Sequence, residues 1–204
     1  MEKRDLIELV IDEESDLSGI EAISIVESPA IEEDFIALSK ERKIELAEVD
    51  KERKILMGAA LIPEKKIFRR SGDYEYDIMF SKDTVVKASQ LFLSNGKQNN
   101  STLEHEVDIS GLSVVESWII EDEVHDKSRK FGLEMPLGTW MVSVKVNNDQ
   151  IWEEFVKTGK VKGFSIEGFF TDKLDRPKEQ KEEHSSEELA AIECLKIIKE
   201  IITK

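Results

Sequence analysis

The sequence predicts a mostly β protein with peripheral helices, and three observations carry that expectation. Short apolar or alternating runs of strand length recur roughly eight times along the chain. Only a pair of internal segments switches to the helical period. The strands are also spread through the chain without regular alternation with helices. That pattern favours a mostly antiparallel sheet or a closed barrel over a doubly wound α/β fold.

In chain order, "AISIVES" (22–28) and "EDFIALS" (33–39) read as short strands separated by Pro29. "IELAEVD" and "RKILMGAALIP" alternate or run apolar, and Pro63 stops the second. "YEYDIMFS" places Tyr74, Tyr76, Ile78 and Phe80 on one face of a strand. Over "KDTVVKASQLFLSNG" (82–96) the period changes: Val85, Val86, Ala88, Leu91 and Phe92 fit a helix, and Asn95-Gly96 closes it. "SVVESWII" (113–120) and "TWMVSVKV" (139–146) are strands on either side of a long charged loop, "DEVHDKSRKFGLEMPLG" (122–138). "DQIWEEFVKTG" is a short helix ending at Gly159, and "VKGFSIEGFF" (161–170) is a buried strand.

Composition narrows the function classes. The chain is 40% hydrophobic and 36% charged, so it can build a core beneath a heavily charged surface. Its net charge of -15 argues against nucleic acid or an anionic membrane as the main partner, because no basic patch offsets phosphate repulsion. No run approaches the length of a membrane span, and "MEKRDLIELVIDEE" does not read as a signal peptide. The single Cys194 leaves no internal disulfide and no cysteine-rich zinc site. A soluble intracellular protein is the expectation. Past Leu174, "DKLDRPKEQKEEHSS" has almost no apolar content and reads as linker. "SSEELAAIECLKIIKEIITK" then opens with a capping box, Ser185 to Glu188, and carries one apolar stripe. The expected organisation is a domain over 1–172, a charged linker over 173–184 and an amphipathic helix over 185–204.

Ser165 is the residue that invites chemistry. It stands in the apolar strand 161–170 between Gly163 and Gly168, which weaken strands. It reads either as a small packed hydroxyl or as a nucleophile whose surroundings admit another backbone. A hydrolytic serine needs a base, and histidine is the usual one. His184 lies in the polar linker and His125 in the charged loop. His105, in "STLEHEVDISG", alternates in phase with Leu103, Val107 and Ile109, which points it toward the interior or a cleft. No HExxH, calcium loop, P-loop or GxGxxG occurs. The GxSxG elbow is missing too, because Gly168 follows Ser165 one residue too late.

"HEVD" followed by "VVESWIIEDEVHDKSRKFGLEMPLGTWMVSVKVNNDQIWEEFVKTGKVKGFSIEGFF" resembles the XkdF-like serine proteases of tailed phages and prophages, and "ILMGAALIPEKKIFRRSGDYEYDIMFSKDTVVKASQLFL" upstream is similar to them as well. The resemblance covers residues 55–170 and rests on ESW, GTWMVS and GFSIEG in combination. These proteins are related to phage prohead proteases. The resemblance therefore implies a closed β-barrel of the herpesvirus assembly protease type, with Ser165 as nucleophile and His105 as base. "EAISIVESPAIEEDFIAL" (21–38) is similar to a segment, E-V-S-L-V-x-x-P-A-N, that prohead proteases carry after the nucleophile. Its early position makes the chain look circularly permuted and implies that 22–39 packs beside 161–170.

The third catalytic group stays open among three carboxylates. Glu21 is the nearest match to the glutamate of that segment, yet it falls three residues before Ser24 rather than two. Asp108 and Glu167 are the others. The expected function is maturation of an immature phage head by cleavage of scaffold and major capsid proteins, without a cofactor, in the bacterial cytoplasm inside the head. The terminal helix suits docking, self-association or core packing. A non-catalytic head-assembly or scaffold-like protein keeping the protease fold is the rival reading, and a host hydrolase unconnected with viruses is a third.

Overall fold

The computed structural model describes residues 4–12, 15, 18–31, 36–37 and 53–173. Three four-stranded sheets surround a common apolar core. The first holds β1 (Asp5–Val10), β5 (Ile67–Ser71), β6 (Tyr74–Phe80) and β12 (Thr171–Asp172) in the order β12-β1-β6-β5. The second holds β3 (Ile36–Ala37), β4 (Ile55–Leu61), β9 (Leu112–Ile119) and β10 (Trp140–Val146) in the order β3-β4-β10-β9. The third holds β2 (Gly19–Val26), β7 (Ser101–Leu103), β8 (Val107–Ile109) and β11 (Gly163–Phe169) in the order β11-β2-β7-β8.

The expected closed β-barrel is not there. Each sheet is open at both ends among the described residues, and β4 packs beside β11 without a hydrogen-bonded ladder between them. The sheets are also mixed: β1 runs parallel to β6 and β2 parallel to β7. Closure needs strand tilt and stagger to agree around the whole ring. Here β9–β10, β4–β10 and β2–β11 each carry a register shift that bends the sheet locally. The mostly β character with few helices does hold.

The elements form for local reasons. α1 (Lys82–Ser94) starts at Ser81, whose hydroxyl accepts from the Thr84 N–H, and ends before Asn95, followed by Gly96 at φ 69°. Its Val85, Ala88 and Phe92 are buried at helical spacing, and the Phe92 ring meets Trp140 edge-on at 5.5 Å. β10 is central in its sheet and almost wholly buried, its apolar run broken only by Ser143 and Lys145. The Trp140 indole N–H donates to Ser117 Oγ at 2.8 Å, so its polar edge is satisfied inside the core. α2 (Asp149–Ile151) is capped by Asn148 and runs on into a wider π-type turn, Trp152–Val156.

Several strands carry no strong sequence signal. β1, β5, β7, β8 and β12 are short or half-exposed, and β1, β7 and β12 find partners far away in the chain. The expectation that 22–39 packs beside 161–170 holds for its first half: β2 pairs antiparallel with β11, Val26 opposite Gly163 and Gly19 opposite Phe169. Its second half differs, since Ile36–Ala37 pairs with β4. The strand read at 44–50, the linker beyond Lys173 and the terminal helix 185–204 lie outside the described residues. Lys173, one residue past β12, is still tied to β1, its N–H donating to the Glu8 carbonyl at 3.0 Å. No helix among the described residues is long and apolar enough to cross a membrane.

Gly168 is required by packing. A Cβ built there would lie 2.1 Å from the Gly19 carbonyl oxygen and 2.8 Å from Ile20 Cα, both backbone atoms that cannot swing aside. Gly168→Ala is expected to force β2 and β11 apart and to destabilise the protein by about 1–3 kcal/mol, read as a lowered Tm. An unchanged Tm would show that the bulge at Glu167–Gly168 is soft. A second expectation concerns Glu116. Its carboxyl is held below the ordinary 4.5, first by the hydrogen bond from Lys127 and then by that from Ser143. This stabilisation is present above 4.5 and fades as pH falls through the depressed folded value. Glu116→Gln should therefore lower Tm at neutral pH and converge on the wild type in acid. The carboxylate is half exposed, so the difference stays below about 1 kcal/mol.

Candidate active site

Ser165 sits on β11 directly opposite Ser24 of β2, and Ser24 lies opposite Thr102 of β7. Side chains alternate along a strand, so the three hydroxyl residues form a row across three adjacent strands. Their environments differ. Ser24 is fully buried; its hydroxyl donates to the Thr102 carbonyl at 3.3 Å and accepts from the His105 N–H at 3.1 Å. That hydroxyl is committed to holding structure. Ser165 is 8% exposed, and among the described residues its hydroxyl makes no hydrogen bond. Of the two serines, only Ser165 has a hydroxyl free to react.

His105 is placed by a turn. The sequence put it on an alternating strand; instead it occupies the tight connection between β7 and β8, with Glu104 at φ 53° and His105 at φ 60°. The Glu106 N–H donating to the Leu103 carbonyl at 3.0 Å closes the turn. Positive φ at two successive non-glycine residues is the geometry of a type I′ hairpin turn and is uncommon for these residue types. Neighbours on β2 and just beyond it hold the turn. The Glu104 N–H donates to the Ile25 carbonyl at 3.2 Å, its carboxylate accepts from the Glu27 N–H at 2.7 Å, and the His105 N–H is anchored on Ser24.

The imidazole then meets a carboxylate from the strand that carries Ser165. His105 Nδ1 lies 3.0 Å from Glu167 Oε1, and the Thr102 hydroxyl donates to the same oxygen. Glu167 follows Ser165 by two residues, so both side chains leave the same face of β11. The His105 ring hydrogen bond goes to Glu167 and not to Ser165. Glu21 is elsewhere: its carboxylate is bound by Lys97 and its carbonyl accepts from Asn100 Nδ2 at 3.1 Å. Asp108 lies on β8, opposite Thr102.

The other histidines behave as solvated residues or lie beyond view. The His125 side chain is 82% exposed and bonds to Asp122 at 2.8 Å; this contact, with two backbone N–H donors, holds the Asp122 carboxyl at about 2. His184 lies outside the described residues. Among the described residues no group of three or more His, Cys, Asp or Glu side chains is placed to hold a metal ion. Ser24, Thr102 and Glu104 were not visible as site residues in the sequence, because their roles come from pairing between distant strands.

Comparison with known proteins gives one family. The family described as "Putative phage serine protease XkdF" matches residues 43–173, a span that holds His105, Ser165 and Glu167 but not β2. No curated protein and no solved structure matches the chain. With well over half of its length matched, the chain belongs to the family described as "Putative phage serine protease XkdF".

Proposed function

We propose that the protein is a serine endopeptidase in which Ser165 is the nucleophile, His105 the general base and acid, and Glu167 the residue that positions His105. One observation carries this reading: the Glu167 carboxylate holds Nδ1 of His105 from a position two residues beyond Ser165 on the same strand. With Nδ1–H donated to Glu167, Nε2 is the free basic nitrogen of the ring. Ser165 Oγ attacks the scissile carbonyl as its proton passes to Nε2. The imidazolium then gives that proton to the leaving amine as the C–N bond breaks. Water repeats the sequence on the acyl-enzyme and frees Ser165. The serine–histidine contact is commonly long in a substrate-free site and tightens when substrate binds.

Membership of a phage serine protease family supports a role in head maturation, with scaffold and capsid subunits as substrates and the immature head in the bacterial cytoplasm as the place of action. The net charge of -15 fits protein partners better than packaged DNA.

Treatment with a fluorophosphonate, followed by peptide mass mapping, tests the nucleophile directly. Wild type should gain the adduct on Ser165, and Ser165→Ala should gain none. Glu167→Gln keeps the shape but holds the ring less well, so its labelling rate should fall by roughly 100-fold or more while its Tm stays near wild type. Equal rates in Glu167→Gln and wild type would remove Glu167 from the mechanism, and an adduct on another serine would remove Ser165. Co-expression with the phage's own head proteins tests the biological role: their processing should stop in Ser165→Ala and in His105→Ala.

A further inference from the structure

A cavity of about 200 Å³ lies on the core face of β11, opposite the face that carries the Ser165 and Glu167 side chains. Ile166 of β11, Phe170 just beyond it, Ile67 of β5, and Ile78 and Phe80 of β6 give it apolar walls. Leu9 in its lining is half-buried and Gly168 is exposed, so the cavity opens to solvent. One charged side chain enters this lining. Arg69, on the edge strand β5, is half-buried. Among the described residues its guanidinium makes a single hydrogen bond, from Nη1–H to the Phe68 carbonyl at 2.9 Å, and no ion pair. Two arginines of the same region are paired, Arg70 with Glu75 and Arg4 with Asp77. Burial pushes the Arg69 guanidinium down from its ordinary value, yet arginine keeps its proton in proteins. A cation set against apolar walls has lost part of its hydration and has no anion to replace it.

We propose that this cavity binds a small monocarboxylate, its apolar body among Ile67, Ile78 and Phe170 and its carboxylate on the Arg69 guanidinium. The planar fork of N–H donors matches the two oxygens of a carboxylate, and such charge-assisted bonds are stronger than neutral ones. Burial of the apolar body adds a non-directional contribution. An apolar cavity of about 150 Å³ takes a benzene ring, so this one limits the buried body to about one aromatic ring or a short branched chain. A short free acid and the C-terminal residue of a peptide with an apolar side chain present the same chemistry. The inference does not rest on the role of Ser165, because the cavity lies on the core face of β11.

The test titrates the full chain with 3-phenylpropanoate and, separately, with 3-phenylpropanamide, while NMR follows the isoleucine methyl groups. The acid should shift the methyls of Ile67, Ile78 and Ile166 and bind at least about 10-fold more tightly than the amide. Arg69→Gln should bind acid and amide about equally, and its methyl spectrum without ligand reports whether the fold is intact. N-acetyl-leucyl-phenylalanine carries the same group on a peptide. Binding of that dipeptide with the same methyl shifts would assign the site to a peptide C-terminus, and its failure where the free acid binds would assign it to a short free acid. Equal binding of acid and amide to wild type would overturn the proposal, as would an unchanged preference in Arg69→Gln. Absence of binding by either acid, or shifts confined to methyls away from the cavity, would overturn it as well.

Discussion

The ladder between β2 and β11 is the constraint on which the site depends. It sets Ser24 opposite Ser165 and Ala22 opposite Glu167, and a slip of one residue would turn both site side chains of β11 to the other face. The register is pinned at one end by Gly168, whose bare Cα lets the Gly19 carbonyl approach as the ladder shifts at the bulge. The opposite face of the same two strands buries Ile23, Ile25 and Phe164 in the core. A slip would therefore expose those three side chains as well as misplace the site, so apolar burial and site geometry favour the same register.

The turn that carries His105 is the strained part of the design. Two successive non-glycine residues at positive φ cost about 1–3 kcal/mol each. Hydrogen bonds to the Ile25 carbonyl, the Ser24 hydroxyl and the Glu27 N–H offset that cost, and all three partners belong to β2 or the residues just after it. β2 thus has two tasks: it pairs with the strand bearing Ser165 and it clamps the turn bearing His105. The fully buried Ser24 joins the tasks, standing beside Ser165 in the ladder and accepting the His105 N–H. A histidine held by its own backbone keeps its ring poised without relying on substrate contacts.

Much of this was legible in the sequence and some was not, for physical reasons. Apolar or alternating runs of strand length marked β4, β6, β9, β10 and β11, and the helical stripe with Asn95-Gly96 marked α1, because local patterning decides those elements. β7 and β8 are three residues each, too short for their pattern to carry much information; they exist because Ser101–Leu103 finds β2 as a parallel partner. That weakness explains the misplacement of His105, which the apparent alternation through Leu103 and Val107 put on a strand. A hairpin turn without glycine gives no turn signal, and here bonds to β2 supply what glycine usually supplies. Barrel closure failed as an expectation for a related reason: it depends on how sheet edges meet, which no local pattern encodes.

The location of the carboxylate follows from the same ladder. In the segment that 21–38 resembles, the glutamate stands two residues before the serine, and here that position holds Ala22, with Glu21 displaced by one. The ladder shifts there, Glu167 pairing with Ala22 and Gly168 with Ile20, so Glu21 falls in the bulge and its carboxylate is bound by Lys97. Directly across the ladder from Ala22 is Glu167. Opposed residues in an antiparallel pair have Cβ atoms only about 4.5–5.5 Å apart, so a glutamate on β11 can reach nearly the volume that one at position 22 would have reached. His105, fixed by its turn, needs a carboxylate at a point in space and is indifferent to which strand provides it. The small Ala22 leaves that space open to its cross-strand neighbour, and the Thr102 hydroxyl orients the carboxylate from the far side.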